Sequence, residues 1–225
     1  MKLVATHLAE AIGFWYYSID ALKLLPKNWR SDILDVAAKH AIEKDIIPTS
    51  VTSREADPTK KIPVMVVGGS KLVTEVPWLD ELYRGKFLDI ANAICSEEVF
   101  PAKDVRYSLN LNIQTGTAMR YECHIDSNPV EALLYVTDNK PGMGGELIVS
   151  RRLDARNIDD VQENSISIYP AAGTLVVFDA RKYAHYVAPL KNENDIRVVV
   201  AMNYYTPSCS ENDRPKDLNR HLGLE

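Results

Sequence analysis

The sequence predicts a mainly β domain of the α+β class, with helices gathered at its N-terminal end. Three observations predict it. Helical spacing of apolar residues is confined to residues 1–100. From residue 104 onward the apolar pattern alternates with period two, the mark of half-buried strands. Turn-forming clusters, at residues 138–142, 170–173 and 191–195, separate the later strands. Many short strands with regular turns indicate a sandwich, a jelly roll or a cupin-like barrel.

In chain order, Ser31 is a plausible N-cap for a helix over 32–44, where Ile33, Val36, Ala37 and Ile42 recur at near-helical spacing. Residues 48–63 hold Pro48, Pro58 and Pro63 among polar positions, which reads as a long loop that is either a lid or a plain connection. A second helix is expected over 79–94, with Leu79, Leu82, Tyr83, Phe87, Ile90, Ala91 and Ile94 on one face. Strands are then expected at 104–114, 132–137, 146–150, 165–168, 174–179, 184–189 and 196–205, before a polar tail or short helix.

Bulk properties bound the function. The 225 residues carry 26 Lys+Arg against 31 Asp+Glu, a net charge of −5, with no basic block of the kind a nucleic-acid binder carries. No stretch approaches the roughly 18 apolar residues of a membrane span, and residues 11–17 are too short and too aromatic for a signal peptide. Cys95, Cys123 and Cys209 are widely spaced and odd in number, which suits free thiols in a reducing compartment. The expectation is one domain over 1–225, cytoplasmic, without nucleic-acid or membrane partners, and monomeric or a weak homodimer.

The chemistry concentrates in few residues. His124-Ile125-Asp126 sets a histidine and a carboxylate two apart, so that on a strand both leave the same face. Two such ligands plus a third from elsewhere build a facial triad that suits non-haem Fe(II). His185 follows Asp126 by 59 residues, and Arg197 follows His185 by 12. Between them lie Gly144-Gly145-Glu146-Leu147 and the run from Pro170 to Phe178. Gly144 and Gly145 read as backbone devices at a bulge or a close approach. His7, His40 and His221 have no partner at metal spacing and read as structural or exposed. Arg197 stands in an otherwise apolar strand, where a lone guanidinium is costly unless an anion meets it.

This order of elements over about 104–206 resembles the 2-oxoglutarate/Fe(II)-dependent dioxygenases, in particular their prolyl-4-hydroxylase-like branch. The resemblance implies a double-stranded β-helix with the N-terminal helices packed against it, residues 1–100 as helical support and 207–225 as a tail. It implies Fe(II), 2-oxoglutarate and O2, with His124, Asp126 and His185 as both metal ligands and catalytic centre. Arg197 would bind the far carboxylate of 2-oxoglutarate, Tyr135 matches a tyrosine that helps hold it, and Gln114 stands where relatives often have a tyrosine. Because Asp126 fills the third ligand position, hydroxylation is favoured over halogenation.

Substrate contacts are expected from period two alone. Asn110, Asn112 and Gln114 share one strand face, which either lines the pocket or is solvated if the apolar face turns inward. Asn203 and Tyr205 share a face with Arg197. Arg54, Lys60 and Lys61 could clamp a substrate carboxylate. The expected activity is hydroxylation of a small molecule, an amino acid or a derivative of one. The alternatives are a carrier-bound or peptidyl substrate, or a non-catalytic cupin-like metal-binding module.

Overall fold

The computed structural model describes residues 4–6, 16–216 and 218–222. His7 and most of the 11–17 stretch lie outside them. In chain order the N-terminal part gives β1 (Val4–Thr6), β2 (Tyr16–Asp20), α1 (Trp29–His40), β3 (Ile42–Ile46) and β4 (Ile62–Gly68). Three helices follow, α2 (Gly69–Glu75), α3 (Pro77–Arg84) and α4 (Lys86–Ile94), then the short β5 (Phe100–Pro101) and α5 (Val105–Ser108). The barrel strands are β6 (Leu109–Thr115), β7 (Tyr121–His124), β8 (Val130–Tyr135), β9 (Leu147–Ser150), β10 (Ser165–Ile168), β11 (Thr174–Asp179), β12 (His185–Val187) and β13 (Ile196–Tyr205). Helix α6 (Ile158–Glu163) bridges β9 and β10, and α7 (Leu218–Leu222) comes last.

Two antiparallel sheets result. The larger runs β1-β2-β11-β8-β13-β6-β4-β3, with β5 on β13, and the smaller runs β10-β9-β12-β7. From β6 to β9 the chain alternates between the sheets, turns through the β9–β10 pair, and alternates back to β13. That winding is the double-stranded β-helix, so the fold class agrees with the expectation.

Period two on the central strands divides two cores. Leu109, Leu111 and Ile113 of β6, with Val198, Val200 and Met202 of β13, face the helices and pack with Ile33, Leu72, Leu79, Tyr83 and Phe87. Leu133, Val199, Ala201, Val176 and Phe178 face the smaller sheet and fill the barrel with Leu147 and Val149. The apolar face of β6 therefore belongs to the helix layer, and its asparagines turn into the barrel.

Several elements differ from the sequence reading. Helix α1 starts at Trp29, Ser31 Oγ donates back to the Asn28 carbonyl instead of capping, and Ile42 belongs to β3. Pairing of β3 with β4 overrides the helical spacing there. The 79–94 helix is two helices, because Pro77 opens α3 and the chain turns at Gly85. The 104–114 strand begins with one helical turn, in which the Asp104 side chain accepts from the Arg106 N–H. Strands β1 to β4 lie in the part where only helices and the 48–63 loop are expected from sequence. No helix among the described residues is long and apolar enough to cross a membrane, and all three cysteines are unpaired.

Candidate active site

Antiparallel pairing of β7 with β12 sets His124 directly opposite His185. Their rings stand 4.5 Å apart between centroids, and Phe178 meets the His185 ring edge-on at 5.0 Å. Strand β7 ends at His124, so Asp126 is carried by the following loop and not by the strand; its N–H donates to the Ala180 carbonyl. The carboxylate nevertheless closes on both rings, its Oδ1 lying 3.1 Å from His124 Nε2 and 3.8 Å from His185 Nε2. One ligand atom from each of the three residues falls within 4.8 Å of the others.

Each imidazole is oriented from behind. His124 Nδ1 is 2.7 Å from the Glu122 carbonyl and His185 Nδ1 is 2.9 Å from the Tyr183 carbonyl. A carbonyl only accepts, so both Nδ1 atoms donate, which leaves Nε2 as the inward atom of each ring. Two imidazole nitrogens and one carboxylate oxygen on one side of a point fit an Fe(II) facial triad. Burial opposes charge on His124, but Asp126 and Glu122 outweigh it and push its pKa up to about 9. Burial and the neighbouring His124 push His185 down to about 4. Asp126 stays ionised because the two histidines overcome its burial.

Strand β13 carries Arg197 to the cavity wall. Arg197 is 1% exposed, and its Nε and Nη1 have no hydrogen-bond partner among the described residues. The buried hydroxyl of Tyr135 is likewise without one, and its ring lies 5.6 Å from the Arg197 guanidinium carbon. No carboxylate among the described residues stands at ion-pair distance from Arg197. A buried guanidinium with unused donors fits a carboxylate ligand. Gly145, at φ +75°, lies against the Arg197 stem: a Cβ there would be 3.2 Å from Arg197 Cδ. Gly144 is as confined, since a Cβ would come within 2.1 Å of the Pro189 carbonyl oxygen. Gln114 stands opposite Arg197 in register but spends its NH2 on the Met119 and Ala188 carbonyls and does not line the cavity.

Asn110, Asn112 and Asn203 line the same cavity as the triad and Arg197. Asn203 Nδ2 donates to the Tyr107 carbonyl at 2.7 Å. Tyr205 shares that face but is buried in the barrel core, outside the cavity wall. Residues 48–61 are tied down. The Arg54 N–H donates to the Cys123 carbonyl, the Ile125 N–H to the Thr52 carbonyl, and Arg120 grips the Glu55 carboxylate twice, at 2.6 and 2.7 Å. Arg54, Lys60 and Lys61 do not line the cavity, since Arg54 bonds to the carbonyls of Thr52 and Ser53 and Lys60 pairs with Glu55. The cationic clamp expected from them is absent.

Sequence reasoning missed Glu131, Glu122 and His221. Glu131 lies on β8 four residues before Tyr135 and points into the cavity. Its signal was present: a lone carboxyl in the apolar run 130–136 is as anomalous as Arg197. Burial and the adjacent Asp126 raise its pKa well above the usual carboxylate range. His221 is neither isolated nor free, because its Nε2 stands 3.0 Å from Glu122 Oε1. It belongs to α7, whose Leu218 and Leu222 close the cavity, so residues 218–222 are a wall and not a loose tail. Nothing local in a short polar terminus announces that packing.

Residues 99–205 match the model of the 2OG-Fe(II) oxygenase superfamily. A search of curated proteins finds no match. Among solved structures, the chain is similar to a 2OG-Fe(II) oxygenase family oxidoreductase from Burkholderia pseudomallei, with TM-score 0.60, 16% identity and 89% of each chain covered. It is also similar to AviO1 from Streptomyces viridochromogenes Tue57, with TM-score 0.61, 17% identity, and 87% of this chain and 91% of that one covered. A prolyl 4-hydroxylase from Phytophthora capsici gives TM-score 0.56 at 20% identity, covering 93% of this chain and 66% of that one. At such identities these likenesses speak for the fold alone.

Proposed function

As a member of the 2OG-Fe(II) oxygenase superfamily through residues 99–205, this chain is a 2-oxoglutarate- and Fe(II)-dependent dioxygenase, and we propose that it hydroxylates an unactivated C–H bond of a small molecule, an amino acid or a derivative of one. The observation that carries the substrate reading is a cavity of about 90 Å³, partly open to the surface, that joins the triad and Arg197 to Asn110 and Asn112. Convergent polar groups in a mostly apolar pocket suit a compact ligand. Helix α7 over the cavity supports a free ligand over a polypeptide segment.

In this reading His124 Nε2, His185 Nε2 and an oxygen of Asp126 would hold the iron. Bound there with 2-oxoglutarate and O2, the iron would supply the oxidising power for hydroxylation, at the expense of oxidative decarboxylation of 2-oxoglutarate to succinate and carbon dioxide. Arg197 meets the far carboxylate of 2-oxoglutarate with its two unused donors, and Tyr135 adds a hydroxyl beside it. Leu133 and Val199 give the floor an apolar middle, which keeps bulk water from the reacting bond. Asn110 and Asn112 orient the substrate, so that one hydrogen and not its neighbour is presented.

The test is a screen of L-amino acids, then acylated and peptidyl compounds, read as substrate-dependent succinate formation. A free amino acid or close derivative should give a product heavier by one oxygen atom. Turnover of carrier-tethered or peptidyl compounds alone would overturn the free-substrate reading and leave the iron chemistry intact.

A further inference from the structure

Asn110 and Asn112 stand two residues apart on β6, so their side chains leave the same face, with Cα atoms about 7 Å apart. Both line the cavity. Asn110 is 5% exposed, and Asn112 is partly buried. Neither side chain has a hydrogen bond among the described residues, whereas Gln114, the next on that face, spends its NH2 on two carbonyls. A buried amide without partners is costly, so a ligand that meets these two is favoured.

Their immediate surroundings are uncharged. Across the neighbouring strands Asn112 stands opposite Val66 and Val199, and Asn110 opposite Gly68 and Ala201. The charged groups of the cavity lie elsewhere. Arg197 stands opposite Gln114, one inward rung beyond Asn112, and is the group that would take the cosubstrate. Glu122 pairs with His221. Glu131, on the far side of β13, faces the Asp126 carboxylate of the triad. A charged ligand group set among the valines and the alanine would lose its water without gaining a counter-charge.

We propose that Asn110 and Asn112 select the substrate through an uncharged amide group, as in a primary carboxamide, a lactam or an N-acyl amine. The proposal rests on the oxygenase reading and narrows its substrate class to amide-bearing compounds. Such an amide offers an N–H donor and a carbonyl acceptor, and an asparagine side chain offers the same pair in return. Two such side chains on one strand face can meet both ends of the ligand's amide and be met themselves. A carboxylate would leave the asparagine carbonyl oxygens unmet, and an ammonium would leave their NH2 groups unmet.

The test measures binding, not turnover. The protein is loaded with Fe(II) and 2-oxoglutarate without oxygen, and butanamide, 2-pentanone, butanoate and butylamine are titrated by ligand-observed NMR. The four share a propyl chain and differ in the polar head. Butanamide should bind about fivefold more tightly than 2-pentanone, as one further hydrogen bond implies, and more tightly than either ion. Asn110→Leu, close in volume and removing no hydrogen bond within the protein, should bring butanamide down to the affinity of 2-pentanone. Asn112→Leu should reduce the preference as well and decides the matter if the Asn110 variant fails to load.

Equal binding of the amide and the ketone, tighter binding of either ion than of the amide, or an amide preference that survives both substitutions overturns the proposal. Variants that lose 2-oxoglutarate affinity but keep the amide preference would assign the two asparagines to the cosubstrate, which overturns it too. Loading itself is followed by the weak visible absorption of the iron–cosubstrate complex. Absorption without amide preference refutes this inference alone, whereas no absorption refutes the oxygenase reading beneath it.

Discussion

The guanidinium carbon of Arg197 lies 5.6 Å from the centre of the Tyr135 ring, and both side chains present buried polar atoms that no described residue meets. They reach one spot from neighbouring strands, because β13 pairs with β8 so that Val199 stands opposite Tyr135. That geometry would suit a carboxylate.

Arg197→Met should therefore leave iron binding intact and weaken 2-oxoglutarate. Losing one partner of a buried charge pair costs roughly 2–5 kcal/mol. The measurement is a 2-oxoglutarate titration at fixed iron, and an unchanged affinity would mean that Arg197 pairs with protein. Gly145→Ala should weaken the cosubstrate in the same direction without removing a polar group. Its Cβ would press on the Arg197 stem and on Leu190 at a φ that L-residues rarely adopt.

Metal binding should consume hydroxide. His124 must lose its proton to ligate, and its pKa stands at about 9, whereas His185, at about 4, is already neutral. Metal affinity should rise about tenfold per pH unit from neutrality toward pH 9, for one proton released. In the metal-free protein the sign reverses. The His124 pKa is raised on folding, so the His124–Asp126 attraction stabilises fully below about pH 6.5 and is lost as pH rises through about 9. Anaerobic metal titrations at several pH values check the first, and an affinity independent of pH contradicts it.

The strong features of the site were legible in the sequence, and the reason is specific. His124, Asp126, His185 and Arg197 are residue types that a barrel strand or strand end tolerates only for cause. Strands 165–168, 174–179 and 196–205 match their observed bounds, because the Ser-Ile alternation of the first, the apolar runs of the other two and the flanking turns leave little freedom. Strands β3 and β4 were not legible: their pairing is long-range, and Ile42 fits a helical stripe as well as an edge strand. The inward face of β6 was undecidable locally, since only the helix layer fixes which side of the sheet is apolar.

Glu55 is held at a pKa of about 2, its burial outweighed by Arg120, the Cys123 N–H and Lys60. A depressed carboxyl stabilises above its unfolded pKa of about 4.5 and loses that contribution as pH falls through about 2. Glu55→Gln should cost about 1–2 kcal/mol, discounted for the partly exposed Arg120 and Lys60, and should flatten this acid limb. Denaturant titrations at two pH values test it, and equal stability at both in the wild type would contradict it.

Helix α7 closes the cavity through Leu218, His221 and Leu222, latched by His221 to Glu122 and by Lys44 Nζ to the His221 carbonyl at 2.7 Å. Removing residues 218–225 should raise the substrate KM and increase 2-oxoglutarate consumption without product, while iron and cosubstrate still bind. An unchanged KM would show that α7 is only a structural cover.

The most direct measurement is the anaerobic visible spectrum of the protein with Fe(II) and 2-oxoglutarate. The wild type should develop the weak charge-transfer absorption of an iron-chelated keto acid. His124→Ala, Asp126→Ala and His185→Ala should each lose it, and each should lose Fe(II)-dependent succinate formation while keeping the fold. Absence of the band in the wild type, or its persistence in all three variants, would contradict the assignment of this triad as the iron centre.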